Sequence, residues 1–260
     1  MAKLYNKTSM NNLPIGVIDS GVGGLTILKP LIEAFPTEDF IYFGDTDNAP
    51  YGEKSIEEIT NLTEKMIQFM EKRQAKGLVI ACNTITASNA LKRIKTDIPF
   101  IIQIIEPTVK YAVEESLSDN FVILATDVTL KSNLYQNLLK SYDTTARIST
   151  HSLPLLVKLA EANNFKPLEA EKLIERLSKE FKKNSTVILG CTHYPFFASI
   201  FRRYLDPSIK LIDSSIPIIN ELRTKLSTLN LFGDRKTKNE YYCSGDKVLL
   251  EKLIKDYLMI

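Results

Sequence analysis

The sequence predicts an α/β protein whose strands form mainly parallel sheets. Short apolar runs recur along the 260 residues, and most of them show no polar alternation, which is typical of strands covered on both faces. Segments with apolar residues at helical spacing separate the runs, so strand and helix alternate throughout. Because about nine strands exceed the usual size of one sheet, we expect two small sheets rather than one wide sheet.

The predicted elements can be placed in order along the chain. Ser55 with Glu58 three residues later forms a capping box ahead of a helix, and Pro167 suits the first position of another. Similar spacing predicts helices over 84–96, 129–141, 195–205 and 214–227. The predicted strands are 15–19 (IGVID), 40–43 (FIYF), 77–81 (GLVIA), 99–105 (PFIIQII), 121–125 (FVILA), 146–150 (ARIST), 186–190 (TVILG), 210–213 (KLID) and 240–243 (EYYC).

Composition excludes several classes of protein. The 33 basic and 31 acidic residues nearly cancel, which does not indicate a nucleic-acid-binding surface. No apolar run is long enough to cross a bilayer, and the start MAKLYNKTSMNN lacks the apolar core of a signal peptide. Three cysteines are too few for a disulfide framework and fit a reducing compartment. We therefore expect a cytoplasmic globular protein.

Polar side chains follow almost every predicted strand. In open α/β sheets ligands bind at the carboxyl ends of the strands, where free helix N–H groups favour anions. Such a set suits a small ligand with more than one carboxylate, although Asp, Ser, Thr and Asn are also ordinary helix caps. The residues concerned are Asp19-Ser20, Gly44-Asp45-Thr46, Cys82-Asn83-Thr84, Glu106-Pro107-Thr108, Thr126-Asp127, Cys191-Thr192-His193 and Asp213-Ser214-Ser215.

The glycine-rich turn after the first strand has two interpretations. GVGGLT (21–26) partly matches the dinucleotide-binding pattern G-x-G-x-x-G, with Asp45 at a suitable distance downstream. Thr26, however, stands where that pattern has its third glycine. In the second interpretation, the glycines only let the backbone turn tightly beside a ligand.

Two cysteines occupy matching positions more than 100 residues apart. ACNT places Cys82, and GCTH places Cys191, directly after an apolar strand, and cysteine is not a preferred helix cap. A thiol at such a strand end lies near helix N–H donors, which stabilise a thiolate. Two equivalent acid/base groups suit inversion of a carbon centre, since one removes a proton from one face and the other delivers a proton to the opposite face. The two cysteines therefore predict an acid/base reaction that inverts a carbon centre.

Other chemistry for these residues is less well supported by their spacing. His193 follows Cys191 by two positions, an offset that argues against a direct hydrogen bond between their side chains. Cys191, His193 and the distant Cys82 do not make a zinc pattern, so no metal site is predicted. Cys243 is expected to be structural, and His151 is expected to be a surface or satisfied histidine. His193 is a candidate for orienting substrate or assisting proton movement.

The motifs together resemble the glutamate racemases, cofactor-independent bacterial enzymes of the aspartate/glutamate racemase superfamily. The segments run in order from residue 15 to residue 215, and DSGVGG, ACNT and GCTHYP are the most specific of them. The matching segments are IGVIDSGVGGLTIL (15–28), YFGDTDNAPYGEKS (42–55), VIACNTITA (79–87), IIEPT (104–108), LATDVTLKSNLY (124–135), ILGCTHYPFF (188–197) and LIDSS (211–215).

This resemblance implies reversible interconversion of L- and D-glutamate, which supplies D-glutamate for peptidoglycan. It implies that Cys82 and Cys191 are the acid/base pair, assisted by Asp19, His193 and Glu161, with no metal or organic cofactor. The implied substrate contacts are Asp19, Ser20, Tyr51, Gly52, Asn83, Thr84, Thr126, Thr192 and His193.

The resemblance also implies a domain organisation and an assembly. Two pseudo-symmetric, doubly wound domains would enclose the active site, one made of 1–98 plus 214–260 and the other of 99–213. Members of the family are commonly homodimers.

The chain departs from the family pattern in two places. Leu153 stands where a cysteine usually precedes the Pro-Leu of the auxiliary-glutamate segment, although Glu161 keeps its offset from Pro154. Asp47-Asn48 stands where neutral or positive residues are common. Racemisation of another amino acid such as aspartate, a nicotinamide oxidoreductase built on the glycine turn, and a non-catalytic amino-acid sensor remain the alternative functions.

Overall fold

A computed structural model describes residues 10–234 and 238–258 and confirms the α/β class. The prediction that the chain has no signal peptide depends on residues 1–12. Residues 1–9 of this segment lie outside the described residues. Within the described ranges, no helix combines the length and the apolar character needed to span a membrane. The strands are β1 Ile15–Asp19, β2 Phe40–Gly44, β3 Gly77–Ile80, β4 Ile101–Gln103, β5 Asn120–Ala125, β6 Arg147–Ser152, β7 Thr186–Gly190, β8 Lys210–Ile212 and β9 Glu240–Cys243.

The strands form two sheets in which every pairing is parallel. The first sheet has the order β4-β3-β1-β2-β9, and the second has the order β6-β5-β7-β8. The buried faces of β1, β3 and β7 explain their continuous apolar runs, since helices cover both sides of each sheet. β9 returns from the carboxyl-terminal part of the chain to pair with β2 at the edge of the first sheet.

One strand lies on the other side of the predicted domain boundary. β4 follows residue 98, yet it pairs with β3 in the first sheet through Leu78 and Ile101. The side chain of Phe100 packs over Gly77, where an added Cβ would lie 2.0 Å from the ring. This close packing holds β4 in the first sheet, so the crossing between the two sheets begins after this strand and not at 98/99.

Helices connect the strands and begin near the positions that the sequence predicts. Two of the predicted helices are interrupted, because Asn89 and Asn133 adopt a left-handed conformation with φ of 56°. Pro167 caps its helix from outside and is not the first helical residue. The helices are α1 Leu25–Ala34, α2 Ile56–Lys72, α3 Asn83–Ala87, α4 Ile105–Glu115, α5 Asp127–Lys131, α6 Leu134–Tyr142, α7 Pro154–Glu161, α8 Leu168–Ser178, α9 Ala198–Tyr204, α10 Ser215–Leu229 and α11 Lys247–Leu253.

The start of α2 shows how local sequence sets these boundaries. The Ser55 hydroxyl accepts from the Glu58 N–H at 3.2 Å, and the Glu58 carboxylate accepts from the Ser55 N–H at 2.9 Å. This capping box satisfies two N–H groups that have no partner inside the helix. The buried face of α2, including Ile59, Met66 and Met70, then packs against the first sheet.

The largest apolar cluster joins the two sheets. It contains Val17 and Val79 of the first sheet together with Ile123 and Ile188 of the second. Smaller clusters lie on the far face of each sheet. The two halves therefore share a continuous core next to the edge where the strands end.

A buried ion pair connects parts of the chain that are distant in sequence. Lys76 and Glu38 are 2.5 Å apart, and their side chains are 0% and 1% exposed. The Lys76 ammonium also donates to the Asn11 carbonyl and, at 2.8 Å, to the Leu231 carbonyl, while Glu38 accepts from the Gly233 N–H at 2.6 Å. Burial lowers the pKa of Lys76, and the Glu38 carboxylate opposes that shift.

Replacing Glu38 by glutamine should destabilise the protein strongly. The Glu38→Gln variant leaves a buried ammonium without its anion, a change that costs about 3–5 kcal/mol of unfolding free energy. Urea unfolding followed by circular dichroism measures the loss. Lys179→Gln, which breaks the exposed pair with Glu175, is the matched control and should change little. Equal effects of the two substitutions would contradict the role of the buried pair.

Candidate active site

A cavity lies between the two sheets at the carboxyl ends of their strands. It is lined by residues from both halves, including Cys82 after β3 and Cys191 after β7. Of the residues expected from the sequence, Asp19 alone does not line the cavity. The others that do are Ser20, Tyr51, Gly52, Asn83, Thr84, Thr126, Glu161, Thr192 and His193.

Asp19 lies directly beneath the cavity at the end of β1. Its side chain is fully buried and accepts from the Gly21 N–H at 3.1 Å and from the Thr192 hydroxyl at 3.2 Å. Burial raises the pKa of Asp19, while the nearby His193 charge opposes the rise. Asp19 thus links the first half of the site to the second.

The glycine turn after β1 packs closely against the second half of the molecule. A Cβ on Gly21 would lie 2.0 Å from Glu161 Oε1, and a Cβ on Gly23 would lie 2.3 Å from the Thr192 hydroxyl oxygen. Thr26 completes the junction by donating to the Thr192 carbonyl at 2.9 Å. The glycines therefore serve close contact between the halves, which favours the tight-turn interpretation over the dinucleotide one.

Cys82 sits at the N-terminus of α3 in a neutral hydrogen-bonding environment. It is 3% exposed, its thiol donates to the Ser20 hydroxyl at 3.2 Å, and its sulfur accepts from the Ile85 N–H at 3.5 Å. Burial, with the Asp19 charge as a smaller cause, raises the pKa of Cys82 from 9.0 to about 12. In this environment Cys82 holds its proton.

Cys191 faces a charged partner instead. Its sulfur lies 3.5 Å from His193 Nδ1, and His193 Nε2 lies 2.5 Å from Glu161 Oε1. Glu161 is fixed in turn by the Val22 N–H, which donates to it at 3.1 Å. Burial lowers the pKa of His193, but its interactions with Cys191 and Glu161 outweigh burial, so the pKa is raised overall.

The prediction that the two-residue offset prevents a hydrogen bond between Cys191 and His193 is wrong. His193 has helical backbone angles, φ of −78° and ψ of −26°, at the start of a short 3₁₀ turn. The Tyr194 N–H donates to the Cys191 carbonyl at 3.1 Å, which closes the turn. The chain bends enough here to bring both side chains to the same side.

Neutral donors from both halves surround the thiols. The Asn83 amide oxygen accepts from the Tyr135 hydroxyl at 2.8 Å, while its buried Nδ2 has no hydrogen-bond partner among the described residues. The Thr84 and Thr126 hydroxyl oxygens are 3.0 Å apart across the cleft. An unpaired buried N–H₂ costs free energy, so a ligand carboxylate that accepts from Asn83 would be favoured.

Tyr51 and Gly52 contribute shape to the site. The Tyr51 hydroxyl donates to Asp45 at 2.5 Å, and burial, with the bond to Asp45, raises the pKa of Tyr51. The hydroxyl is thus already occupied, leaving the ring and the backbone to face the cavity. A Cβ on Gly52 would lie 3.3 Å from Thr126 Cβ, so this loop also touches the second half.

Eight further residues line the cavity that are not among the site residues implied by the resemblance. Four of them belong to the end of β6 and to α7, since β6 ends two residues later than predicted and leads directly into α7. Lys158 is the one lysine or arginine on the cavity wall within the described ranges, and its side chain is exposed. The additional lining residues are Ala49, Pro50, Glu53, Asp127, Ser152, Pro154, Val157 and Lys158.

Cys243 and His151, which the sequence analysis did not assign to the site, do not line the cavity. Cys243 is half-buried in β9, and its thiol donates to the Gly245 carbonyl at 3.5 Å. His151 is half-buried in β6, with its ring 5.6 Å from that of Phe181. Neither residue contacts the thiol pair.

The family model and the curated proteins similar to this chain indicate the same family. The model of the Asp/Glu/Hydantoin racemase family matches residues 15–221. A glutamate racemase from Lactiplantibacillus plantarum is 33% identical over 95% of this chain and 93% of its own length. One from Clostridium perfringens is 36% identical over 89% of this chain and 90% of its own length.

Solved structures agree with the sequence comparison. Glutamate racemase from Francisella tularensis in complex with D-glutamate is 30% identical, with a TM-score of 0.86 over 96% of this chain and 95% of that chain. The isoform RacE1 from Bacillus anthracis is 31% identical, with a TM-score of 0.85 over 95% of this chain and 94% of that chain. An aspartate racemase from Picrophilus torridus, 17% identical with a TM-score of 0.64 over 85% of this chain and 99% of that chain, shares the fold.

The raised pKa of Cys82 should be visible in its reactivity. In a Cys191→Ser/Cys243→Ser variant only Cys82 remains of the three cysteines, so iodoacetamide reports on it alone. Because the thiolate is the nucleophile, the alkylation rate of the folded variant should keep rising beyond pH 10. The same variant unfolded in urea should reach half of its maximal rate near pH 9. A midpoint near pH 9 in the folded protein, with its circular dichroism unchanged, would refute the predicted environment.

The contact with Glu161 should be visible in the titration of His193. Glu161→Gln removes negative charge but keeps an oxygen for the Val22 N–H, so the pKa of His193 should fall and its imidazolium should be lost at lower pH. Proton NMR can follow this, since the chain has two histidines and His151→Gln assigns the other signal. Glu169→Gln on the exposed surface of α8 is the control. An unchanged midpoint for His193 in Glu161→Gln would argue against the contact.

Proposed function

The chain belongs to the Asp/Glu/Hydantoin racemase family, and we propose that it interconverts L- and D-glutamate without a cofactor by a two-thiol acid/base mechanism. The observation that carries the mechanism is that Cys82 and Cys191, which follow strands of different sheets, line one cavity. Two thiols on opposite walls of one cleft can reach one carbon from both faces. This arrangement suits inversion of a stereocentre.

The two cysteines can carry out both proton transfers of the reaction without another acceptor or donor. The thiolate of one cysteine removes the α-proton, and the electron pair left on the carbon is delocalised into the adjacent carboxyl group. The thiol of the other cysteine then donates its proton to the opposite face, which completes inversion. The two cysteines exchange protonation states in each turnover, so the reverse reaction uses the same groups in exchanged roles.

The surroundings of the two sulfurs indicate which cysteine starts as the base and which starts as the acid. The Cys191 sulfur lies 3.5 Å from His193 Nδ1, a group that can exchange a proton with it, and we assign Cys191 as the proton acceptor in this pairing. Cys82 is hydrogen-bonded to Ser20, and its raised pKa keeps it protonated as the donor. Glu161 orients His193, and Asp19 holds the turn that carries Ser20.

Glutamate would be held by neutral donors. Its carboxylates are matched by the free Nδ2 of Asn83, by the hydroxyls of Ser20, Thr84 and Thr126, and by backbone N–H groups at Thr192 and in the loop at Tyr51-Gly52. Hydrogen bonds to an ionised carboxylate are stronger than neutral ones, and exclusion of water strengthens them further. Glutamate racemases among the relatives, including one with bound D-glutamate, support this choice of substrate over aspartate.

The cellular role follows from the reaction. D-Glutamate made by this chain supplies peptidoglycan synthesis and so supports cell-wall formation and cell shape. Three free thiols, two of them needed as thiols, fit the reducing conditions of the cytoplasm. A homodimer built from two copies of this chain is the assembly that its resemblance to the family supports.

Each active-site cysteine should be required for racemisation. Cys82→Ser and Cys191→Ser should keep the fold and lower the rate at least 10²- to 10⁴-fold, the usual contribution of a general acid or base. Polarimetry from each enantiomer measures the rate, and proton NMR in heavy water measures exchange of the α-proton. Cys243→Ser is the control and should keep full activity.

Two outcomes would contradict parts of this proposal. Full racemisation by either active-site variant would remove the two-thiol mechanism. Faster wild-type turnover of aspartate than of glutamate, measured as initial rates at equal concentration, would replace the substrate.

A further inference from the structure

Ser152 lies on the cavity wall at the end of β6, at a position for which the sequence predicted no function. The predicted strand stops at residue 150, but β6 continues to Ser152 and α7 begins at Pro154. Ser152 therefore occupies a carboxyl-terminal strand end, the same position in the sheet as the other residues of the site. Its side chain joins the cavity lining next to the start of α7.

The register of the second sheet places Ser152 relative to the thiols. Ala125 of β5 is paired with Ser152 on one side and with Gly190 on the other, so the three residues are level across the sheet. Cys191 follows Gly190, and Thr126 follows Ala125. Since adjacent strands are about 4.8 Å apart, Ser152 lies two strands, or about 10 Å, from the strand that carries Cys191.

The Ser152 hydroxyl has no hydrogen-bond partner within the described ranges, although its oxygen is buried. Most buried hydroxyls are paired, and leaving one unpaired costs free energy. A hydroxyl can donate or accept, and rotation about one side-chain bond redirects it. An acceptor bound in the cavity would therefore satisfy Ser152.

We propose that Ser152 donates a hydrogen bond to the carboxylate of glutamate that is remote from the reacting carbon, and so contributes to the choice of glutamate over aspartate. This inference rests on the proposed function. The α-carbon must lie between Cys82 and Cys191, so groups attached directly to it face residues that touch the thiols, such as Ser20 and His193. The Ser152 hydroxyl, two strands away, therefore faces the end of the substrate that is remote from the α-carbon.

The length of the substrate agrees with this placement. In an extended glutamate the remote carboxyl carbon lies about 4 Å from the α-carbon, whereas in aspartate it lies about 2.5 Å away. A reacting contact of about 3–3.5 Å at Cys191 and a hydrogen bond of about 2.7 Å at Ser152 complete a span near the separation of the two strands. In aspartate the same span is about 1.5 Å shorter, so its two ends match the two positions less well than those of glutamate.

Replacing Ser152 by alanine tests this role. Ser152→Ala should raise KM for both enantiomers of glutamate about tenfold, the value of one hydrogen bond to a charged group, with kcat within about twofold of wild type. The inhibition constant of aspartate as a competitor should stay unchanged. The preference for glutamate over aspartate should therefore fall about tenfold, and Ser152→Thr, which keeps the hydroxyl, should restore most of it.

Ser178→Ala is the matched control, since the buried Ser178 hydroxyl already donates to the Ile174 carbonyl at 2.7 Å within α8. It should leave KM and kcat unchanged. An unchanged KM for glutamate in Ser152→Ala, or an equal weakening for glutamate and aspartate, would overturn the assignment of Ser152. Absence of glutamate racemisation by the wild-type protein would instead overturn the proposed function, so the two failures are distinguishable.

Discussion

The contact between the glycine turn and the second half of the molecule is the constraint on which the site depends. Gly21 and Gly23 let backbone lie against Glu161 and Thr192 at distances that any side chain would prevent. Through this contact Val22 fixes Glu161, which in turn orients the His193 imidazole. The turn after β1 thus fixes the position of His193, which follows a strand of the other sheet.

The two sulfurs occupy similar places in the fold but different electrostatic surroundings. Each follows a buried parallel strand, so a similar backbone presents both thiols to one cavity. Cys82 has a hydroxyl and a backbone N–H as partners, whereas Cys191 has an imidazole backed by a carboxylate. In the proposed mechanism, similar backbone with different partners provides an acid and a base from the same residue type.

Much of this arrangement could be predicted from the sequence, because buried parallel strands leave an unbroken apolar signal and their ends fix where ligands bind. The sequence is less informative where tertiary contacts decide which sheet a strand joins or which side chains meet. β4 joins the first sheet because Phe100 packs over Gly77, and the bend at His193 brings it to Cys191. Ser152 was missed because β6 is an edge strand whose polar, half-exposed end resembles a loop.

The return of β9 to the first sheet has a consequence for synthesis of the chain. β2 has its outer neighbour only after residues 240–243 have left the ribosome, and Lys76 is held in part by the Leu231 carbonyl. The second sheet, whose strands lie between residues 120 and 212, can be complete earlier. During translation the half that emerges first is therefore the half that finishes last.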